Sequence, residues 1–143
     1  MSSQTSAAPG RTGTRGRSVA AVAAAIVANV VLSLAADQLF HTLGVYPPWG
    51  QPMYEAGDNL LALSYRIVFG ILAGYVAARL APSRPMRHVR VLGVIAVVLA
   101  SLRVVLTVVG PDLGLAWYPI ALAITAYPCV WLGGRIHLRR ATN

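Results

Sequence analysis

Three charged side chains lie within otherwise apolar stretches of the sequence: Asp37, Arg66 and Arg103. A charge at the centre of a membrane helix costs about 2.5–3.5 kcal/mol on insertion scales, so these residues need partners, water or a route to the interface. One carboxylate against two guanidinium groups leaves a local charge of +1. Three arrangements fit: an Asp37–Arg66 pair with Arg103 hydrated or reaching the interface, an anion or proton site, or contact with lipid.

His41 follows Asp37 by one helical turn, and a carboxylate and an imidazole at that spacing can relay protons. Aromatic side chains next to the arginine or at the membrane interface complete the set. The candidate polar cluster, predicted in the outer half of the molecule, therefore comprises Asp37, His41, Tyr65, Arg66, Arg103, Trp117 and Tyr118.

Four apolar stretches must position these side chains, at residues 19–40, 59–80, 91–110 and 113–134. Each is long enough to cross about 30 Å of bilayer hydrocarbon as a helix. The chain is 57% hydrophobic and 11% charged, a composition typical of integral membrane proteins. We predict an all-α fold, a transmembrane four-helix bundle over residues 18–136. A disordered N-terminal tail (1–17) and a C-terminal tail (137–143) flank it.

In the second stretch, the charged residue Arg66 lies on the helix face that carries the smallest side chains. On a helix, Arg66 shares a stripe with residues that let backbones approach closely: Ala62, Gly70, Ala73, Gly74 and Ala77. We expect this stripe to meet other helices instead of lipid. The Gly70-x-x-x-Gly74 spacing also predicts a homo-oligomer through that face.

The first stretch carries a polar stripe, Asn29, Ser33, Asp37 and His41. This stripe is either a pathway or ligand wall, or a set of interhelical hydrogen bonds that fixes packing. The same stretch loosely resembles a secretory signal peptide with a small-x-small cleavage site at residues 33–35, although it is longer than the usual apolar region.

The loop at residues 41–58 contains aromatic residues, a Pro-Pro pair and three glycines. These features predict a compact cap on the bundle, with an ordinary interfacial loop and a ligand lid as alternatives. Asp58 or Asn59 is expected to cap the second helix.

Charge predicts the orientation. Ten of the twelve arginines lie at the end of the bundle that carries both termini, and all four acidic residues lie toward the other end. By the positive-inside rule we expect both termini to be cytoplasmic. The formal charge of +8 is then an orientation signal and not a nucleic-acid surface, so the expected partner is the lipid bilayer.

Known catalytic patterns are missing from the sequence: it has no H-E-x-x-H, no P-loop and no G-x-S-x-G. Cys129 is the single cysteine, which disfavours disulfide exchange chemistry. His41 lies on the opposite side from His88 and His137, so they cannot form a transmembrane haem pair. We expect no enzyme activity, no metal and no cofactor.

The sequence resembles small, uncharacterised four-pass bacterial membrane proteins. The matching segments are GVYPPWGQPM at 44–53, SYR at 64–66, ARLAPSRPMRH at 78–88, WYPIAL at 117–122 and PCVWLGG at 128–134. The resemblance implies the four-helix architecture and a bacterial inner membrane, and it gives no indication of a mechanism. Two functions stay open: a structural or accessory membrane component, and a small oligomeric transporter or anion- or proton-coupled binding protein.

Overall fold

The structure, a computed structural model, describes residues 11–110, 112 and 114–143. Four helices follow one another along the chain: α1 (Arg11–Thr42), α2 (Ala56–Leu80), α3 (Pro85–Val109) and α4 (Trp117–Ala141). The structure is 81% helical and its described part contains no strand. The predicted all-α four-helix bundle is confirmed.

All four helices are long and apolar enough to cross a membrane. At 1.5 Å per residue, a helix of 25 residues is about 38 Å long and the 32-residue α1 is about 48 Å long. Large apolar side chains stay exposed along the outside of the bundle, for example Val19 and Ile124, each 69% exposed. Such a surface suits a hydrocarbon environment and not water.

Helix α1 begins earlier than predicted, because residues 11–17 are helical where the composition favours a disordered tail. Once a long apolar helix is nucleated, each added residue gains a backbone hydrogen bond at little extra cost. The Ser18 hydroxyl also donates to the Thr14 carbonyl at 3.0 Å. Helix α4 likewise continues through most of the predicted C-terminal tail, and residues 1–10 lie outside the described part of the chain.

The predicted cap of α2 is wrong. The N-cap residue is Glu55, whose side chain makes no capping hydrogen bond. Asp58 lies in the first turn, where its negative charge interacts favourably with the helix dipole. Asn59 is already helical and 3% exposed, and its amide donates back to the carbonyl oxygens of Met53 (3.0 Å) and Glu55 (2.9 Å). The sequence prediction took the last polar residues before the apolar run as the helix start, one turn too late.

Helix α2 packs against each of the other three helices, whereas no Cα atom of α1 lies within 8 Å of one in α4 among the described residues. The predicted small-residue face is buried, with Ala62 and Ala73 3% exposed and Ala77 fully buried. A Cβ on Gly74 would overlap the backbone of Val130 in α4. Close backbone contact of this kind gives the van der Waals packing that holds membrane helices together.

The Gly70 and Gly74 face therefore packs against α4 of the same chain. A Cβ on Gly70 would already lie 3.3 Å from the Cβ of Cys129. Within the chain α4 already covers the face through which the sequence predicts a homo-oligomer, and the oligomer stays a prediction.

The loop after α1 folds back as the predicted compact cap. The backbone amides of Val45 and Tyr46 donate to the Phe40 carbonyl at 3.0 and 3.2 Å. The Trp49 indole donates to Gln38 Oε1 at 3.1 Å, so the loop is attached to the side of α1. Tyr46 is 4% exposed and forms the inner wall of this cap.

Candidate functional site

An ion pair joins α1 to α2 in the half of the bundle next to the cap. Arg66 Nη2 lies 2.7 Å from Asp37 Oδ2, with 33% of the arginine side chain and 15% of the aspartate side chain exposed. A charge-assisted hydrogen bond at this distance is stronger than a neutral one. The pair predicted from the two isolated charges is present.

Asp37 is held on its second oxygen as well. The Tyr65 hydroxyl donates to Asp37 Oδ1, and the Tyr46 hydroxyl donates to the Tyr65 oxygen at 3.3 Å. Neighbouring residues on α2 point about 100° apart, so Tyr65 and Arg66 approach the carboxylate from two sides. Both carboxylate oxygens are therefore used, and the hydrogen-bonded chain ends in the cap.

Aromatic rings surround this chain. The Phe40 ring centroid lies 5.3 Å from that of Tyr46 and 5.7 Å from that of Tyr65, and Phe69 lies 5.7 Å from Tyr65 on the other side. Rings at these separations pack favourably and keep water from the hydroxyl groups. The polar chain thus lies in a largely apolar setting, where its hydrogen bonds are stronger than in water.

His41 takes no direct part in this network. Its ring stacks near Trp49, with centroids 4.2 Å apart, and meets Tyr46 edge-on at 5.5 Å. Its Nδ1 atom is buried and has no hydrogen-bond partner among the described residues. No hydrogen bond therefore links His41 to Asp37 in this part of the chain, and the predicted proton relay lacks its direct step.

A cavity of about 380 Å³ lies below the pair and is lined by residues of all four helices. Its polar lining residues come from each helix in turn: Asn29 and Ser33 (α1), Arg66 (α2), Arg103 (α3) and Thr125 (α4). Two buried polar atoms of these lining residues have no partner among the described residues, Arg66 Nε and Asn29 Oδ1. A donor and an acceptor left open in this way suit a small polar guest or ordered water.

The remaining predicted residues divide between this cavity and the periphery. Arg103 is exposed yet lines the cavity, and no ion pair or hydrogen bond of its side chain is seen within the described residues. Tyr118 is partly buried in the first turn of α4. Trp117 is 38% exposed and touches the cluster only through Tyr118, whose ring lies 6.3 Å away.

Outside the spans, a hydrogen bond connects the loop before α2 to the loop before α4. The Tyr54 hydroxyl donates to Asp112 Oδ2, and the Gly114 amide donates to Asp112 Oδ1 at 3.1 Å. The hydrogen bond to the Asp112 carboxylate raises the pKa of Tyr54, and the same hydrogen bond, followed by that from Gly114, lowers the pKa of Asp112. Burial is the main cause that raises the pKa of Tyr46 in the cap.

Sequence reasoning missed Tyr46 as a member of the hydrogen-bonded chain. It is one of the aromatic residues of the loop at residues 41–58, and no spacing rule connects a loop tyrosine to Tyr65. Asn29 and Ser33 were recognised as a polar stripe, but the sequence does not show that this stripe opens onto a cavity shared with α3 and α4.

Comparisons with protein-family models, with curated proteins and with solved structures give no match to this chain. The class of protein therefore rests on the fold and the site. Four apolar helices of spanning length, packed around a partly buried ion pair, define a multi-pass membrane protein. The resemblance noted in the sequence stays a prediction.

Proposed function

We propose that this protein is a structural or accessory component of a bacterial cytoplasmic membrane, with no catalytic activity of its own. The observation that carries this proposal is the closed geometry of the Asp37–Arg66 pair: both oxygens of the only acid within a span are occupied by side chains of α2. A carboxylate held on both oxygens favours a lock between helices over a group that exchanges protons or ligands.

The proposed orientation, with both termini in the cytoplasm, is supported by the charge distribution. Ten arginines lie at the end of the bundle that carries the termini, and the acidic loop residues Glu55, Asp58 and Asp112 lie at the cap end. Arginine retained on the cytoplasmic side sets the topology of bacterial membrane proteins. Accessibility of single cysteines, introduced in the cap and in the connection between α2 and α3 of a Cys129→Ser background, to a membrane-impermeant thiol reagent tests this orientation.

The accessory role is tested by removing the Asp37–Arg66 ion pair and measuring the thermal stability of the protein. Arg66→Leu should lower thermal stability in detergent while the protein still inserts. Glu55→Gln, which removes an exposed charge at the same end, is the matched control and should change stability little. An Arg66→Leu protein with unchanged stability, or one that loses transport of an ion while staying fully stable, would contradict the accessory role.

A second candidate, a small-anion binding protein or transporter, is favoured by one observation. The cavity is lined by two guanidinium groups, but the only carboxylate in the spans is already occupied by Arg66. The surplus positive charge at Arg103 would attract an anion of modest size, and an oligomer would give four short helices a larger enclosed volume. The Arg66 Nε atom, buried and without a partner in the described chain, supplies a donor.

The two candidates differ in what Arg103→Leu does. Thermal unfolding across a panel of chloride, phosphate and small carboxylates measures binding, because a ligand that binds only the folded state raises the melting temperature. For an anion site, the wild type shows a shift that Arg103→Leu loses and that Arg90→Leu, a control on the same helix, keeps. No shift in the wild type with any anion favours the accessory role.

A further inference from the structure

A second groove lies at the opposite end of the molecule, between the N-terminal halves of α1 and α3. Its volume is about 790 Å³. We call it the basic-end groove and define it by the residues that carry the argument: Arg15, Val22 and Ile26 on α1, and Arg84, Arg87 and Ile95 at or beyond the start of α3. It is separate from the Asp37–Arg66 site.

The lining of the groove changes from basic to apolar with depth. Helices α1 and α3 both start at this end and run in the same direction, so a higher residue number on either helix means greater depth. Arg15 and Arg87 lie near the mouth, and Ile26 and Ile95 lie about 16 and 12 Å further along their helices. A headgroup would meet the arginines, and the space beyond them is shaped for a hydrocarbon chain.

The positive charge in the mouth is not neutralised by the protein's acidic side chains. All four acids of the sequence lie elsewhere, at positions 37, 55, 58 and 112. Arg15, Arg84 and Arg87 are exposed, and their side chains make no ion pair within the described residues. Three guanidinium groups at the membrane surface attract a phosphate strongly, and each basic residue adds appreciably to the binding of anionic lipid.

The groove walls are also incompletely covered by protein. Helix α1 packs mainly on α2 and makes fewer contacts with α3, which leaves a gap between the two helices. Val19 and Val91, on either wall, are 69% and 47% exposed. An acyl chain of the surrounding leaflet fits such a gap, whereas a water-soluble phosphate would leave its apolar part unfilled.

We propose that the basic-end groove is a binding site for one anionic phospholipid, with the phosphate on the three arginines and an acyl chain between α1 and α3. The two halves of the groove together select this occupant. A free phosphate matches only the mouth, and a zwitterionic phospholipid carries an amine that competes with the arginines for its own phosphate.

Native mass spectrometry of the detergent-solubilised full chain tests the proposal. The probes are phosphatidylglycerol, phosphatidylcholine with the same acyl chains, and glycerol 3-phosphate. The wild type should bind one phosphatidylglycerol in preference to phosphatidylcholine, and glycerol 3-phosphate should bind far more weakly. Equal binding of the two phospholipids, or binding of glycerol 3-phosphate as tightly as the lipid, would overturn the proposal.

Two double variants localise the site. Arg15→Gln/Arg87→Gln should weaken phosphatidylglycerol binding about 30-fold, from the contribution of two basic groups. Arg139→Gln/Arg140→Gln removes the same charge at the same end of the bundle but outside the groove, and should change binding less than about twofold. An equal loss in both variants would show diffuse attraction to a basic surface and refute a site. Both pairs are exposed, and a circular dichroism melt verifies that each variant folds.

Discussion

The most informative perturbation is Asp37→Asn, because it removes one charge and keeps the shape of the side chain. Arg66 is then left in the span without its 2.7 Å partner, while the amide oxygen of the new asparagine can still accept the Tyr65 hydrogen bond. The change therefore separates the ion pair from the rest of the polar chain.

The expected cost follows from comparing two magnitudes. A neutral interhelical hydrogen bond in a membrane protein contributes about 0.6 kcal/mol on average, whereas an arginine in a span without compensation costs about 2.5–3.5 kcal/mol. Arg66 is one third exposed, and part of its cost is relieved by water or by movement toward the interface. We expect Asp37→Asn to destabilise the fold by about 2 kcal/mol, well above the value for a neutral hydrogen bond.

A double-mutant cycle with Arg66→Leu isolates this interaction. Unfolding in mixed micelles, titrated with a denaturing detergent and followed by circular dichroism, gives the free energy for the wild type, both single variants and the double variant. Once the arginine is gone, Asp37→Asn should cost little, so the coupling energy should be about 2 kcal/mol. Single-variant effects that add within about 0.5 kcal/mol would refute the idea that the pair locks α1 to α2.

Three further predictions concern packing and the loops. Gly74→Ala should destabilise by about 1–3 kcal/mol, since its Cβ would meet backbone of α4, and Gly57→Ala, with open space around it, is the control in the same melting assay. Asn59→Ala should cost about 1–2 kcal/mol, measured by detergent unfolding, because the Met53 carbonyl loses its side-chain donor and the Glu55 carbonyl keeps only the backbone amide of residue 59 at 3.3 Å. The hydrogen bond from Tyr54 to Asp112 should be fully formed at any pH between the ordinary pKa of aspartate and that of tyrosine. It should weaken at low pH, as Asp112 is protonated at its lowered pKa, and at high pH, as Tyr54 loses its proton at its raised pKa. Tyrosine ring resonances in an NMR pH titration measure this, and a Tyr54 ring that titrates at the same pH in wild type and Asp112→Asn would contradict it.

The length of the apolar stretches and the spacing of the small residues predicted most of the architecture, because both are properties of a single helix. The face of α2 that carries Gly74 was assigned from spacing alone, and it is buried as expected. Its partner could not be assigned in the same way. A small-residue stripe fits any helix that approaches closely, and here α4 of the same chain covers the face that suggested an oligomer.

The ion pair of the candidate site was predictable, because a charged side chain within a membrane helix requires a partner of opposite charge. Asp37 is the only acid in the spans, so its pairing with an arginine followed from energetics. The role of Tyr46 did not follow, because it depends on how a loop of the cap folds back onto α1. The described residues show no direct hydrogen bond between Asp37 and His41 for a related reason: one helical turn brings two residues to the same face, but Trp49 and Tyr46 of the cap pack around the imidazole.

The separation of Asp37 and Arg66 by 29 residues has a consequence for the synthesis of the chain. Helix α1 leaves the ribosome first and carries an aspartate whose counterion has not yet been made. In the described structure α1 packs mainly on α2 and less on α3, so α2 is its main support. We expect the insertion machinery to release α1 into lipid only together with α2, as a charge-balanced hairpin, with the cap loop crossing between them.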